Sequence, residues 1–152
     1  LNTLTQSSVL AEDKLFATLD TKSARLRFPR DTEAIITDTV GFIRDLPEEL
    51  FTAFRATLDE LFEADILLHV IDASNAQFED QIAAVEKILT DLEIHDRPTI
   101  RGLNKSDRVA DKERLKHLCR RLDAVAVAAL DKKTLFALME KIESVLPRKD
   151  DF

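Results

Sequence analysis

Thr99-Ile100-Arg101-Gly102-Leu103-Asn104-Lys105-Ser106-Asp107 opens as a short strand and closes on an amide, a cation, a hydroxyl and an acid. Two other apolar runs also finish on a polar residue. Ala34-Ile35-Ile36-Thr37-Asp38 is one, and Ile66-Leu67-Leu68-His69-Val70-Ile71-Asp72 is the other. A fourth run, residues 124–128, is short and alanine-rich. Residues 25–28 alternate charged and apolar side chains, the pattern of an edge or half-exposed strand.

Helical periods lie between these runs. Pro47, followed by Glu48 and Glu49, suits a first helical turn, where proline loses no hydrogen bond and acids meet the positive helix end. Phe51, Phe54, Leu58 and Leu61 follow at helical spacing. Phe78, Ile82, Val85, Leu89 and Leu92 form a second stripe, and Leu115, Leu118 and Leu122 a third. Asp131 stands as a cap before a fourth stripe of Leu135, Leu138, Ile142 and Val145, with Pro147 beyond its end. Strands alternating with amphipathic helices predict an α/β fold with a mostly parallel, Rossmann-like sheet and flanking helices. Ligands of such sheets sit outside the carboxyl ends of the strands, which singles out Asp38, Asp72 and Asn104.

Bulk properties narrow the classes. The 152 residues suit one domain, and 45% apolar with 34% charged residues describes a globular chain rather than a disordered one. A net charge of -7 supplies no general basic face for nucleic acid. The lone Cys119 excludes an internal disulfide framework and fits a reducing compartment. No apolar run approaches the roughly 20 residues of a membrane helix, and the first residues lack the pattern of a signal peptide, so the expectation is a cytoplasmic protein with no membrane partner.

The quartet Asn104-Lys105-Ser106-Asp107 carries the most specific chemistry. A carboxylate at a strand end can accept two hydrogen bonds from the N1 and N2 edge of guanine, a donor pair that adenine lacks. Asn104 can meet the N7/O6 side and tie neighbouring loops together, and the stem of Lys105 can lie across the base plane. Taken alone, the quartet also reads as a polar turn. Asp38-Thr39-Val40-Gly41 is the second signal. Asp38 can hold Mg²⁺ through a water, and Gly41 lets its N–H approach a terminal phosphate. The order of D-x-x-G, strand, helix, strand and then N-K-x-D is far more specific than either motif.

These residues resemble the HflX family of GTPases. Lys14-Leu15-Phe16-Ala17-Thr18-Leu19-Asp20 resembles its first switch, and the run from Thr37 to Pro47 its second. Phe54-Arg55-Ala56-Thr57-Leu58 and residues 64–74 also match its pattern. The resemblance implies a P-loop NTPase-like fold binding GTP or GDP with Mg²⁺, in a family associated with the large ribosomal subunit. It assigns Thr18 to Mg²⁺ and γ-phosphate sensing, Asp38 to the Mg²⁺-bound water, Gly41 to the γ-phosphate, and Asn104, Lys105 and Asp107 to guanine. Ala128 and Ala129 fall in the guanine-side loop. Phe42, which cannot orient water, stands where a glutamine often positions the attacking water, implying slow or partner-stimulated hydrolysis.

Two departures shape the expectation. No G-x-x-x-x-G-K-[ST] occurs, and Leu1-Asn2-Thr3-Leu4-Thr5 resembles the tail of the helix that follows such a loop. Residues 1–152 therefore read as a partial GTP-binding domain without its first strand and P-loop. Such a chain is expected to bind GTP poorly and to turn none over, and its unpaired strand edges to lead to marginal stability, a shifted strand pairing or self-association. In the guanine-side loop, usually S-A-K, Leu130 replaces the lysine, and Asp131-Lys132-Lys133-Thr134 replaces the glycines that normally follow. The alternative is a GTPase-like interaction module that works without nucleotide. His69 reads as a packed or hydrogen-bonded core histidine rather than a metal ligand, and His95 and His117 as surface residues. Cys119 reads as an unreactive helix residue, and Arg120-Arg121 and Lys132-Lys133 as solvated pairs that could touch ribosomal RNA.

Overall fold

The computed structural model describes residues 22–28, 30, 32–38 and 60–146. The chain divides into two compact units. One comprises Leu1–Ala64 with Glu79–Asp96, and the other Asp65–Phe78 with Arg97–Phe152.

In the first unit, β1 (Lys22–Arg27) and β2 (Glu33–Asp38) form an antiparallel pair in a register that runs from Lys22↔Asp38 to Arg27↔Glu33. The alternation expected over residues 25–28 is present: Leu26 and Phe28 are buried while Arg25 and Arg27 face out. The Phe28 N–H donates to the Thr32 carbonyl at 2.8 Å and closes the turn. The facing hydroxyls of Ser23 and Thr37 bond at 2.9 Å. The apolar run in β2 is not fully interior, since Ile35 is 75% exposed. Of the helix expected from Pro47 to Leu61, only α1 (Glu60–Glu63) falls within the described residues.

Helix α2 (Phe78–Asp91) follows the expected stripe: Phe78, Ile82, Leu89 and Leu92 are buried and Val85 is half-buried. Its end uses a left-handed residue without glycine. Glu93 has φ 60°, and the N–H groups of Glu93 and Ile94 return to the carbonyls of Thr90 and Leu89 at 3.0 Å each.

The second unit holds a three-stranded parallel sheet in the order β3-β4-β5, from β3 (Leu67–Asp72), β4 (Thr99–Asn104) and β5 (Ala124–Ala126). Parallel neighbours require long crossovers, usually helical. Helix α3 (Lys112–Leu122) provides the one from β4 to β5 and packs on β5, while α4 (Leu135–Val145) packs on β4 and β5. The inward faces are as the stripes predict: Leu115, Leu118, Leu135, Leu138 and Ile142 are buried, and Leu103 in the central strand is wholly enclosed. Leu122 and Val145 are half-buried.

Three details differ from the sequence reading. Strand β5 ends at Ala126, although Val127 and Ala128 beyond it stay buried and the Val127 N–H continues the ladder to the Leu103 carbonyl at 2.9 Å. Asp131 caps a 3-10 turn, Lys132–Thr134, rather than α4, because that turn intervenes and its Lys133 N–H reaches the Asp131 carboxylate at 3.0 Å. Asp111, which no stripe announced, caps α3 by accepting from the Arg114 N–H at 3.0 Å.

A left-handed residue with a side chain costs roughly 1–2 kcal/mol, of which glycine recovers part. Glu93 is exposed. Glu93→Gly is therefore expected to raise unfolding stability by about 1 kcal/mol. Urea unfolding of the two chains measures it, and a loss of stability would contradict the capping geometry.

Candidate functional site

The register pairs Asp72 with Asn104, so β3 and β4 stop at the same level and present their last side chains along one carboxyl edge. The Ala73 N–H donates to the Asn104 carbonyl at 2.9 Å and carries the pairing one residue further. Lys105 then adopts a left-handed conformation, φ 57° and ψ 32°, which swings the chain into the 3-10 turn Ser106–Arg108. That turn is fastened from both sides. The buried Ser106 donates its N–H to the Val127 carbonyl at 3.1 Å, and its own carbonyl accepts from Lys112 Nζ at 3.1 Å. Asp107 stands on the turn with an exposed carboxylate that bonds to none of the described residues.

Asn104 links this turn to the loop after β5. Its Oδ1 accepts from the Ala129 N–H at 2.9 Å, which leaves the side-chain NH₂ as an uncommitted donor. Thr134 closes the same loop. Its hydroxyl accepts from the Ala128 N–H at 2.9 Å, and its one proton lies between the carbonyls of Ala128 (2.9 Å) and Asp131 (2.8 Å). The residues standing where glycines were expected thus give the loop a shape of its own. The N–H groups of Ala128 and Ala129 are both committed inside the chain, whereas Leu130, 97% exposed at the tip, has an N–H with no partner among the described residues.

Lys105 reaches back across the edge. Its Nζ lies 2.9 Å from Asp72 Oδ2, with both side chains partly shielded. The other carboxylate oxygen, Oδ1, accepts from the Ser74 N–H at 3.0 Å and the Ser74 hydroxyl at 2.6 Å. Burial alone pushes the Asp72 carboxyl up, but the hydrogen bonds from Ser74 and Lys105, with the lysine's charge, outweigh it and hold the group below the usual carboxylate value.

The remaining residues singled out by sequence are placed as follows. Asp38 is half-buried as the last residue of β2 in the first unit, opposite Lys22. Thr18, Gly41 and Phe42, with both switch runs except Thr37 and Asp38, lie outside the described residues. His69 is half-buried and has an interaction partner, and His95 and His117 are exposed. Burial pushes the Cys119 thiol up, against a partial offset from a backbone hydrogen bond with Ala126, so it is not an activated nucleophile. Among the described residues no three His, Cys, Asp or Glu side chains group as a metal site, and no helix is long and apolar enough to cross a membrane. Sequence reasoning marked Asp72 as a strand end without a role, met Ser74 only within the run 64–74 and Thr134 only among the residues in place of glycines, and gave neither hydroxyl a task. The Asp-x-Ser spacing of a side-chain-closed turn was the available signal for the first pair.

A parallel sheet with its polar loops at the carboxyl edge, shared with solved GTP-binding proteins, is a P-loop NTPase-like α/β fold. Solved structures share it: SsGBP in complex with GDP (TM-score 0.74, 24% identity, 95% of this chain and 44% of that one) and Era in complex with MgGDPNP and a 16S ribosomal RNA segment (TM-score 0.75, 21% identity, 97% and 51%). Residues 1–105 match the family model described as 50S ribosome-binding GTPase. Curated relatives include GTPase HflX of Alkalihalophilus pseudofirmus, 42% identical over 96% of this chain and 34% of the relative, and GTPase HflX of Magnetococcus marinus, 39% identical over 97% and 34%. GTPase HflX of Escherichia coli is 44% identical over 74% of this chain and 26% of the relative. The chain belongs to this GTPase family as an HflX-type member, and it spans about a third of the length of the first two of these curated relatives.

An acid held below its ordinary value adds stability that is complete above the ordinary carboxylate range and is lost as pH falls through the lowered value. Asp72 therefore contributes at neutral pH and stops contributing in acid. Partial exposure keeps the effect at about 1 kcal/mol or less. Wild type and Asp72→Asn, unfolded by urea between about pH 6 and pH 3, should differ most at the upper end and converge at the lower. A gap that widens in acid would show the sign to be wrong.

Proposed function

We propose that this chain is the guanine-reading part of a GTP-binding domain, with the base held by the loops after β4 and β5. The observation that carries the reading is the exposed, uncommitted carboxylate of Asp107 on a fastened turn. Guanine offers N1–H and N2–H₂ as adjacent donors, and one carboxylate accepts both. The free NH₂ of Asn104 suits the N7 and O6 acceptors of the same base. Ala128 and Ala129 form the wall of this site. Because their N–H groups serve the loop itself, the main-chain donor to O6 is assigned to Leu130. The stem of Lys105 covers the base plane.

The phosphate side rests on the resemblance and on family membership. Thr18 and Asp38 would hold Mg²⁺, and Gly41 would contact the γ-phosphate. Mg²⁺ draws most of its oxygens from phosphate and water, so a Thr18 oxygen and the strand-end carboxylate of Asp38, acting through a bound water, suit it, and no cluster of acids is called for. The metal would neutralise developing phosphate charge, and this chain's residues would position it. GTP hydrolysis is proposed for the whole family protein and not for residues 1–152 alone, which carry no G-x-x-x-x-G-K-[ST]; association with the large ribosomal subunit and a cytoplasmic location complete the proposal. The family's description as 50S ribosome-binding supports the second of these.

Amide NMR titration of this chain with GDP and ADP tests the base reading and detects weak binding. GDP should shift the amides of Asn104, Lys105, Asp107, Ala129 and Leu130, and ADP should not. Asp107→Asn should weaken GDP binding by roughly ten- to a hundredfold, the loss of charge-assisted hydrogen bonds worth about 1.5–3 kcal/mol. Equal responses to GDP and ADP would refute the reading. No response to either would favour the nucleotide-independent interaction module.

A further inference from the structure

The Lys105–Asp72 pair spans two strands that the β-ladder already joins, so its place in the fold calls for another explanation than cohesion. An ion pair this exposed adds little to stability. Its geometry is nonetheless restrictive at both ends. Asp72 cannot rotate freely, because Oδ1 is held by two donors of Ser74 while Oδ2 receives the ammonium. Lys105 is constrained by its left-handed backbone and by its tip. A free lysine has many side-chain conformations, and a ligand that needs it ordered binds more weakly for that loss of entropy. Here that ordering is already in place. With the ammonium engaged, the part of Lys105 left for a ligand is its methylene stem, an apolar strip suited to the face of an aromatic ring rather than to a phosphate.

We propose that Asp72, anchored by Ser74, is a positioning residue of the base site that holds the Lys105 ammonium and so lays the lysine stem along the edge where the base is read. The inference rests on the guanine reading above and names a residue which that reading does not require. Asp72 touches no base. It acts through Lys105, and its contribution is to the base plane and not to the hydrogen-bonded edge.

The test is a double-mutant cycle read by NMR titration with GDP and with IDP, whose hypoxanthine lacks the 2-amino group. Asp72→Asn keeps an oxygen for Ser74 and removes the charge. It should weaken GDP and IDP by the same factor, about three- to tenfold, and leave the preference for GDP over IDP unchanged. Asp107→Asn should abolish that preference. In a Lys105→Met background, Asp72→Asn should have no further effect, and Asp72→Glu in the native background should recover part of the loss. An unchanged GDP affinity in Asp72→Asn, or an equal loss with Lys105→Met already present, would overturn the positioning role while leaving the guanine reading intact. A wild-type chain that does not prefer GDP to IDP and ADP would overturn both.

Discussion

One side-chain amide, Asn104, decides whether the carboxyl edge of the parallel sheet is a set of separate loops or one surface. It ends the central strand directly after the fully enclosed Leu103. Its position is therefore set by the core and cannot drift with the loops. By accepting from the Ala129 N–H it fixes the loop after β5 to the turn after β4, and its own donors have no partner among the described residues. The Ser106 N–H bond to the Val127 carbonyl fastens the same two segments from below. The exposed Asp107 carboxylate depends on both, because a turn free to rock would not hold a carboxylate in the narrow range of orientations a base edge accepts.

The cost of this arrangement is local. Lys105 takes a left-handed conformation that residues with side chains avoid, and the surrounding bonds must hold it there. They do so by redundancy: the ladder, the Lys112 bond to the Ser106 carbonyl and the Asp72 contact all constrain the same few residues. Thr134 does the equivalent work in the second loop, where one hydroxyl that accepts from the Ala128 N–H and shares its proton between the carbonyls of Ala128 and Asp131 replaces the freedom that glycines would otherwise supply.

Much of this was legible in the sequence, for identifiable reasons. Helix stripes repeat over several turns, so the faces of α2, α3 and α4 could be read from Phe78, Leu115 and Leu135 onward. The strand ends at Asp72 and Asn104 were visible because an apolar run stops there on a polar residue. The end of β5 was not, since Val127 and Ala128 are as apolar as the strand residues before them and more buried, and the Val127 N–H still bonds to the Leu103 carbonyl. The Asp131 cap was assigned to the wrong element because a 3-10 turn and an α-helical turn begin with the same side-chain bond. The contacts of Thr134 with Ala128 and of Lys105 with Asp72 depend on loop shape and on strand register, and neither has a period to read.

The central claim is that the loops following β4 and β5 form one surface that reads a guanine base. A crystal structure of this chain soaked with GDP tests it most directly. The base should lie against the Lys105 stem, with N1 and N2 both within about 2.7–3.2 Å of the Asp107 carboxylate. A base bound elsewhere, or bound there with Asp107 turned away, would contradict it.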